Sequence, residues 1–250
     1  MPRAIYRVTG EDRESFLQGL VSNDVRKLSD GMVYAALLTP QGKYLADFFL
    51  VPDGDAILID IDASIAAATI QRLNMYKLRA KAEIAETGLH LHRGTGAVPK
   101  DGFADPRHPA LGWRAYRDVP QDGDTTDWEA IRVAHCIPQT GIELGPDTFI
   151  LEAGFERLNG VDFRKGCYVG QEVTARMKHK TELRKGLGLV RLSAPATPGT
   201  PLTNDGKPAG ELHTVSGDHA IAYLRYDRAG PGLMAGDVPV IREHDAEAQD

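Results

Sequence analysis

The chain has little cysteine and no long apolar run. Its 250 residues include only Cys136 and Cys167, so we expect no disulfide framework, and two thiols fall short of the four that a typical iron–sulfur cluster needs. No stretch approaches the roughly 18 consecutive apolar residues of a membrane span. Residues 1–16 hold no apolar run of the kind found in signal peptides. We therefore expect a cytoplasmic protein that does not bind membranes.

Several common site patterns are also missing. The sequence has no Cys-x-x-Cys pair and no serine nucleophile elbow, and the glycines at 186 and 188 lack the third glycine of a dinucleotide-binding loop. His90 and His92 would point the same way from a strand, but no further ligand cluster accompanies them. We therefore expect no resident metal and no dinucleotide cofactor.

Charge is distributed unevenly along the chain. The formal net charge is −6, yet residues 164–185 carry +5 and the remaining residues carry −11. Such a basic stretch is most often a solvated helix face, which the charge alone favours here, and the alternative is an anion site for a phosphate, a carboxylate tail or an RNA backbone. The acidic remainder argues against direct nucleic-acid binding. An RNA-binding module, which rests on this stretch alone, is the least supported class.

The hydrophobic pattern predicts a mixed chain of helices and strands. A helix is predicted to start at a capping Thr9 and to bury Phe16, Leu17, Leu20 and Val21. Further helices are predicted over 64–78, 128–134 and 171–180, and strands over 34–38, 44–51, 56–62 and 82–91.

The two long regions outside these elements differ in composition and in the spacing of their turns. Residues 94–127 are rich in Gly, Pro, Asp and His, and predict a long connection with one short strand over 113–116. From residue 186, short strands are separated by frequent turns, which is typical of a small antiparallel barrel or sandwich. Strands and helices do not alternate regularly, so we exclude an all-parallel nucleotide-binding sheet.

The strongest local signal is the segment 165–172, which reads Lys-Gly-Cys-Tyr-Val-Gly-Gln-Glu. Two glycines bracket Cys167, which suits a tight loop, and the helix predicted next would place its N-terminus, which favours anions, close to the thiol. Arg164 and Lys165 add positive charge, as found beside activated cysteines. A reactive or ligand-donating Cys167 is one interpretation, and a small apolar residue that fills the loop is the other.

Gln171 and Glu172 stand at the predicted start of that helix. A carboxylate there can accept hydrogen bonds from two N–H groups on one edge of a pterin ring. It can equally serve to complement the helix dipole. The residues alone leave both interpretations open.

The motif at 165–172, followed by Ala175 and Arg176, resembles the signature of the YgfZ-type folate-binding proteins. That family includes iron–sulfur cluster assembly factors and is related to the T-protein, the aminomethyltransferase of the glycine cleavage system. Residues 8–13, 16–25, 37–43, 220–225 and 235–237, and positions between 132 and 144, also resemble segments of the family. Cys136 departs from the pattern, since the family usually has glycine at that position.

The resemblance implies an α+β, T-protein-like folate-binding fold with a small C-terminal antiparallel β-barrel, and tetrahydrofolate or another reduced folate as the ligand. It further implies a discontinuous folate-binding core over 1–50 and 126–183 and a middle α+β domain over 51–125. The barrel would occupy 184–245, and an acidic tail 246–250.

The same resemblance suggests the site residues. Cys167 would be the functional thiol and Lys165 a catalytic residue beside it, and Trp128 would stack on the pterin or aminobenzoyl ring. The other predicted folate contacts are Tyr168, Gln171, Glu172, Arg132, Asn23, Asp24 and Arg176.

Two functions follow as hypotheses. In the first, the protein is an accessory factor for iron–sulfur cluster assembly or repair, its partners are scaffold or client proteins, and it turns over no substrate. In the second, it is a folate-dependent aminomethyl or methyl transferase, which needs a carboxylate to position or deprotonate the substrate amine. Asp24 is the one candidate for that carboxylate, and the cysteine motif favours the first hypothesis.

Overall fold

The computed structural model describes residues 2–180 and 182–243. By compactness the chain forms two units. The first combines the residues up to Thr126 with Phe155–Ala175, and the second combines Asp127–Gly154 with the residues from Arg176 onward. The predicted acidic tail at 246–250 lies outside the described residues.

Five antiparallel strands form the main sheet of the first unit. They are β1 (Arg3–Thr9), β2 (Val33–Leu38), β3 (Tyr44–Asp53), β4 (Ala56–Asp62) and β5 (Glu83–Glu86). Their order across the sheet is β2-β3-β4-β1-β5, so the N-terminal strand lies inside the sheet rather than at its edge. A smaller sheet in the order β6-β8-β7 contains β6 (His90–Gly94), β7 (Gly102–Ala104) and β8 (Trp113–Arg117).

Both faces of the central strands are buried, but they differ in chemistry. Alternate residues such as Phe48 and Ile59 join one apolar core. Two helices, α1 (Arg13–Gln18) and α2 (Ala63–Lys77), contribute Leu17 and Leu73 to that core. The intervening strand residues include charged side chains, and these face the opposite side of the sheet.

Asp60 lies at the centre of this polar face. Its carboxylate is fully buried and accepts hydrogen bonds from Arg3 Nε at 2.5 Å, Arg114 Nη2 at 2.9 Å and Tyr116 Oη at 2.8 Å. Burial alone would raise the pKa of Asp60, but Arg3 and Arg114 hold it below its ordinary value. The guanidinium of Arg114 also lies 4.1 Å from the ring centre of Phe49. These contacts tie β1 and β8 to β4.

The second unit contains a closed six-stranded barrel. Its strands are β9 (Lys185–Leu192), β10 (Pro201–Asn204), β11 (Lys207–Ser216), β12 (His219–Arg225), β13 (Leu233–Ala235) and β14 (Val238–Arg242). They close in the order β10-β11-β12-β9-β14-β13 around a core that includes Val190, Leu212 and Leu224. Helix α3 (Trp128–Ala134) also belongs to this unit, while helix α4 (Gln171–Lys180) spans the division. The mixed α+β content and the C-terminal barrel are therefore confirmed.

Some element predictions were wrong. Thr9 does not start a helix: it ends β1, and α1 begins after Asp12. Arg3, which pairs with the buried Asp60, and Arg7, which pairs with Asp53, interrupt the apolar alternation of β1, and this is why the pattern missed the strand. The predicted strand 82–91 is divided between β5 and β6, and the connection 94–127 contains two strands, β7 and β8. The predicted boundary between the folate-binding core and the middle domain, at residue 50, lies within strand β3. The division into three domains stays a prediction.

Removing the Asp60 carboxylate should be costly, because Arg3 would lose its acidic partner and the buried Arg114 would keep only the more distant Asp105, at 3.5 Å. We expect Asp60→Ala to lower the free energy of unfolding by about 3–5 kcal/mol. Asp53 is the matched control, since it pairs with Arg7 at 2.8 Å in a solvent-exposed position at the end of β3 in the same sheet. We expect Asp53→Ala to cost less than about 1 kcal/mol. Urea unfolding of both variants measures the difference, and equal losses would contradict it.

Candidate functional site

The side chain of Lys165 fixes the position of the loop that carries Cys167. We call residues 164–170 the thiol loop. Lys165 is only 6% exposed, and its Nζ donates to the carbonyl oxygens of Gln18 at 2.5 Å and Val21 at 2.6 Å. Because α1 ends at Gln18, carbonyls at this end lack partners within the helix. The buried ammonium supplies these partners, so the loop is bonded to the end of α1.

The side chain of Gln18, at the end of α1, also bonds to the thiol loop. Its Nε2 donates to the Lys165 carbonyl oxygen at 3.3 Å and to Asp24 Oδ1 at 3.1 Å, and its Oε1 accepts from the Val25 amide at 2.8 Å. One amide side chain thus links the thiol loop to the segment that follows α1. Sequence reasoning missed Gln18, because its partner is 147 residues away along the chain.

Two glycines bring the end of the thiol loop against the turn between β2 and β3. Gly170 has a φ of 84°, and a Cβ there would lie 2.6 Å from the carbonyl oxygen of Thr39. Gly42 has a φ of 76°, and a Cβ there would lie 2.8 Å from Val173 Cβ. Only glycine fits such contacts without displacing its neighbours. The predicted segments 16–25, 37–43 and 165–172 therefore lie together in the first unit.

Cys167 and Tyr168 face different environments. Cys167 is an exposed free thiol. Tyr168 is buried, its ring centre lies 4.7 Å from Lys165 Nζ, and burial raises the pKa of its hydroxyl to about 12. The tyrosine therefore anchors the loop from inside, while the cysteine beside it remains accessible to a partner.

Charges around Lys165 belong to the loop and to the segment after α1. Burial lowers the pKa of Lys165 to about 8, although the carboxylates of Asp24 and Asp162 oppose that shift and the nearby Cys167 also raises it. Asp24 is held mainly by Arg26, whose hydrogen bonds lower the pKa of this carboxyl to about 2. Asp24 also caps the short 3₁₀ turn at Val25–Ser29. Its oxygens are therefore occupied by protein groups.

Asn23 is likewise committed to internal contacts. It is buried, its Nδ2 donates to the carbonyl oxygens of Tyr34 at 2.8 Å and Asn159 at 2.7 Å, and its Oδ1 accepts from the Asp24 amide at 2.8 Å. The structure thus brings Asn23, Asp24 and Lys165 together in supporting positions. Their direct contact with a folate stays a prediction.

The predicted residues of α4 are more accessible. Gln171 is half-buried at the first position of the helix, and Glu172 and Arg176 are exposed. Cys167 precedes this helix by four residues. The side chains of Gln171 and Glu172 therefore lie close along the chain to the thiol and face solvent at least in part.

Trp128 and Arg132 belong to the second unit, on α3. Trp128 is half-buried at the helix start. Arg132 is buried: its Nη1 lies 3.0 Å from Glu143 Oε2, and its Nη2 donates to Thr214, whose hydroxyl in turn donates to Glu143 at 2.5 Å. This network connects α3 to the barrel strand β11, so Arg132 is occupied by structural contacts.

Cys136 lies at the end of α3 and packs with Val133 and Ile221. It is buried, and its φ of 49° is in the left-handed region. Glycine adopts that conformation without strain, which accounts for the glycine that the resembling family has at this position.

A cavity of about 1020 Å³ lies within the second unit and was not predicted from the sequence. One of its charged lining groups, Glu152, is buried, accepts a hydrogen bond from Tyr223 Oη at 2.7 Å and lies 4.0 Å from Lys185 Nζ. Burial, together with this carboxylate, raises the pKa of Tyr223. The lining residues are Glu152, Met177, Glu182, Leu183, Arg184, Lys185, Arg225, Tyr226 and Asp227.

One sequence signal could have identified Glu152. It follows the apolar run Phe149-Ile-Leu151 and precedes Ala153, and a carboxylate inside an apolar segment predicts an internal polar partner. Gly186 permits the close packing beneath this site, because a Cβ there would lie 2.6 Å from both the Glu152 carbonyl oxygen and Tyr226 Oη.

The described part of the chain has neither a metal-binding cluster nor a transmembrane helix. Among residues 2–180 and 182–243, no group of three or more His, Cys, Asp or Glu side chains could hold a metal ion. Over the same residues, no helix combines the length and apolarity that a transmembrane helix needs.

Comparison with known proteins gives consistent matches. Residues 184–244 match the family described as CAF17, C-terminal beta-barrel domain. The chain is 32% identical to the mitochondrial iron-sulfur cluster assembly factor IBA57 of Mus musculus, over 89% of this chain and 75% of the mouse protein. It is 30% identical to the mitochondrial IBA57 homolog of Mycosarcoma maydis, over 83% of this chain and 60% of that protein's length.

A solved structure shows the fold. The glycine cleavage system aminomethyltransferase T from Bartonella henselae superposes with a TM-score of 0.77 at 15% identity, covering 98% of this chain and 83% of that one. The predicted T-protein-like fold is therefore confirmed, while the identity is too low to carry more than the fold.

These matches also correct one prediction and leave another open. The predicted cytoplasmic location is wrong, because the mouse and Mycosarcoma maydis relatives are both named as mitochondrial proteins. A low cysteine count indicates a reducing compartment and does not separate the cytosol from the mitochondrion. The assembly-factor part of the family resemblance is confirmed, and assignment to the YgfZ type in particular stays a prediction.

Replacing Lys165 by methionine tests the buried ammonium. In the unfolded chain a lysine keeps its proton to about pH 10.5, whereas Lys165 in the folded chain loses it near pH 8. Between these values the unfolded chain binds more protons, so the free energy of unfolding rises with pH. We therefore expect the stability advantage of the parent chain over Lys165→Met to be larger at about pH 9.5 than at about pH 7.

Urea unfolding of both proteins at the two pH values measures this difference. At about pH 7 the loss of the bonds to Gln18 and Val21 should lower the stability of Lys165→Met by about 1–3 kcal/mol. An advantage of the parent chain that shrinks as the pH rises would contradict the assignment.

Proposed function

Because this chain belongs to the IBA57 family of iron–sulfur cluster assembly factors, we propose that it acts in the assembly or repair of iron–sulfur clusters, with Cys167 as its functional thiol and a reduced folate as its cofactor. The chain spans 60% of the length of the Mycosarcoma maydis relative and 75% of the mouse relative. For this chain, the activity and partners of those longer proteins are therefore proposals.

Cys167 carries this proposal because it combines exposure with a fixed position. Cysteines that only fill space are buried, as Cys136 is, whereas Cys167 is exposed beside the buried Lys165. A positive charge close to a thiol stabilises its thiolate, which is the form that binds metal. Iron would therefore bind a sulfur ligand on a loop of fixed position, because the hydrogen bonds from Lys165 to Gln18 and Val21 hold that loop in place.

The partners that this chemistry requires are iron–sulfur scaffold or client proteins. A typical cluster needs about four protein ligands, most often thiolates. This chain offers one exposed cysteine. A cluster in contact with Cys167 would therefore take its other ligands from a second protein, and it is a cargo of this protein rather than a resident group.

A reduced folate suits the cavity in the second unit. A pterin edge presents amino and N–H donors, and the buried Glu152 offers carboxylate oxygens to accept them. Arg184 and Lys185 line the same cavity and complement the carboxylates of the folate tail. The volume of about 1020 Å³ is ample for one folate molecule. When bound, a reduced folate supplies a carrier for one-carbon groups.

Trp128, Gln171, Glu172 and Arg176 were predicted from the sequence as folate contacts, and none of them lines this cavity, so their contact with a folate stays a separate prediction. Each has an at least partly exposed side chain, and the indole of Trp128 offers an aromatic face for stacking. Tyr168, Asn23, Asp24 and Arg132 are weaker candidates, because the first two are buried and the last two are held by Arg26 and Glu143 respectively.

A folate-dependent aminomethyl or methyl transferase is the second candidate, and the likeness of the fold to aminomethyltransferase T favours it. Its weak point is the general base. Asp24 is bonded to Arg26 and has a pKa of about 2, so it is a poor proton acceptor near neutral pH. Turnover of aminomethyl or methyl donors with tetrahydrofolate and the purified protein would promote this candidate over the first.

The role of Cys167 is tested by complementation. We expect Cys167→Ala to bind tetrahydrofolate like the parent chain but to leave iron–sulfur enzyme activities low in a deletion strain, because the folate cavity and the thiol are separate features. Cys136→Ala is the matched control and should restore those activities. Full rescue by Cys167→Ala at equal protein level would show that the thiol is dispensable.

The folate site is tested by a second pair of variants. Glu152→Gln keeps the size of the side chain but removes its charge, so we expect tetrahydrofolate to bind at least about tenfold more weakly, as for a lost charge-assisted hydrogen bond. Glu182→Gln changes an exposed carboxylate of the same cavity and should leave the Kd within about twofold. Calorimetric titration measures both, and unchanged affinity of Glu152→Gln would exclude this carboxylate as the pterin acceptor.

A further inference from the structure

Tyr226 supplies the aromatic ring of the cavity in the second unit. Among the described residues that line this cavity, no other has an aromatic side chain. Tyr226 directly follows β12, and its amide donates to the carbonyl oxygen of Arg184 at 2.9 Å. Its hydroxyl donates to the carbonyl oxygen of Leu187 at 3.3 Å. The ring is therefore held both at its backbone and at its hydroxyl end.

The guanidinium of Arg242 lies against the ring of Tyr226. Arg242 is the last residue of β14, and its Cζ lies 4.4 Å from the ring centre, which makes a cation–π contact. Its Nε is buried and has no hydrogen-bond partner among residues 2–180 and 182–243. A buried donor without an acceptor lowers stability. The fold thus keeps a cation on this ring at a cost, which indicates a role for the ring.

The carboxylate that follows Arg242 along the chain is used by other cations. Glu243 lies 3.7 Å from Arg191 Nε and 3.5 Å from His219 Nε2. Arg242 is therefore placed for the ring of Tyr226 rather than for this acidic neighbour.

Tyr226 and Glu152 both adjoin Gly186. A Cβ at Gly186 would lie 2.6 Å from the Glu152 carbonyl oxygen and 2.6 Å from Tyr226 Oη, so the two residues come close only because glycine lies between them. Both line the cavity. A carboxylate accepts hydrogen bonds at the edge of a flat ligand, whereas a tyrosine ring contacts the face of such a ligand. The cavity therefore offers both kinds of contact.

We propose that Tyr226 is the stacking platform for the pterin ring of the folate, and that Arg242 is its positioning residue. This inference rests on the proposed folate site in the cavity. A cation on one face of an aromatic ring draws the π electrons toward itself, so the ring then prefers an electron-rich partner on its other face. The ring of a reduced pterin is electron-rich and uncharged near neutral pH. The aminobenzoyl ring is poorer in electrons, because it is conjugated to an amide carbonyl.

The two halves of the ligand test which ring stacks on Tyr226. We expect Tyr226→Leu to bind tetrahydrofolate and tetrahydropterin at least about tenfold more weakly, as for a lost stacking contact. Binding of p-aminobenzoylglutamate, the other half, should stay within about twofold. Tyr226→Phe keeps the ring and should bind all three within about threefold of the parent chain. Calorimetric titration of the full chain measures tetrahydrofolate, and competition against it measures the two fragments.

The positioning role is tested by Arg242→Met. The lost cation–π contact and the removed donor without acceptor have opposite effects on stability, so the Tm should change little. Binding of tetrahydropterin should nevertheless weaken about fivefold, because the ring of Tyr226 is no longer held or polarised. A residue with a purely structural role would lower the Tm and leave the affinity of the folded protein unchanged.

Tyr76→Leu is the matched control for the loss of a tyrosine. Tyr76 is partly buried against the core of the first unit, on α2. Its replacement should leave the binding of both fragments unchanged.

The outcomes separate this inference from the proposed folate site. If the parent chain binds tetrahydrofolate but Tyr226→Leu binds tetrahydropterin equally well, the stacking role of Tyr226 is wrong while the folate site stands. Weaker binding of p-aminobenzoylglutamate alone would also overturn it, since the aminobenzoyl ring would then lie on Tyr226. If Tyr226→Leu does not fold, full tetrahydropterin binding by Arg242→Met overturns the inference. A parent chain that binds no tetrahydrofolate would contradict both the site and the inference.

Discussion

The ammonium of Lys165, bonded to the carbonyl oxygens of Gln18 and Val21, is the interaction on which the candidate site depends. A lysine is rarely buried without partners, because its charge is expensive to remove from water. Here the helix end supplies carbonyl oxygens that need donors, so each side satisfies the other. The glycine contacts at Gly42 and Gly170 hold the far end of the same loop. Cys167 is exposed between these two fixed points, and its position therefore does not depend on its own contacts.

Buried polar groups organise the rest of the molecule in a similar way. Asp60 joins β1, β4 and β8 through Arg3, Arg114 and Tyr116 on one face of a sheet whose other face is apolar. In the second unit, Arg132 and Glu143 connect α3 with the barrel through Thr214. Such networks stabilise one arrangement because any slip would leave a buried charge without a partner. Glu152 differs from them, since it lines a cavity with room for a ligand.

Local patterns predicted the elements better than the roles of their residues. Helices α3 and α4 and strand β4 have the bounds that capping, periodicity and turns indicated, and the frequent turns beyond residue 186 correctly predicted the barrel. Side-chain partners depend instead on packing between distant segments, which no local pattern contains. Lys165 was predicted as a catalytic group beside the thiol, but its partners at Gln18 and Val21 give it a supporting position. Arg132, which was predicted as a folate contact, is paired with Glu143 through the packing of distant segments, and its contact with a folate stays a prediction.

The central claim is that Cys167 is the group through which this protein acts on iron–sulfur clusters. Alkylation of the native protein by iodoacetamide, mapped by mass spectrometry, measures which cysteine is accessible, and cluster reconstitution on a purified client enzyme measures the consequence. We expect iodoacetamide to modify Cys167 and to spare the buried Cys136, and we expect the modified protein to bind tetrahydrofolate but no longer to promote reconstitution. Undiminished reconstitution by protein fully alkylated at Cys167 would contradict the claim.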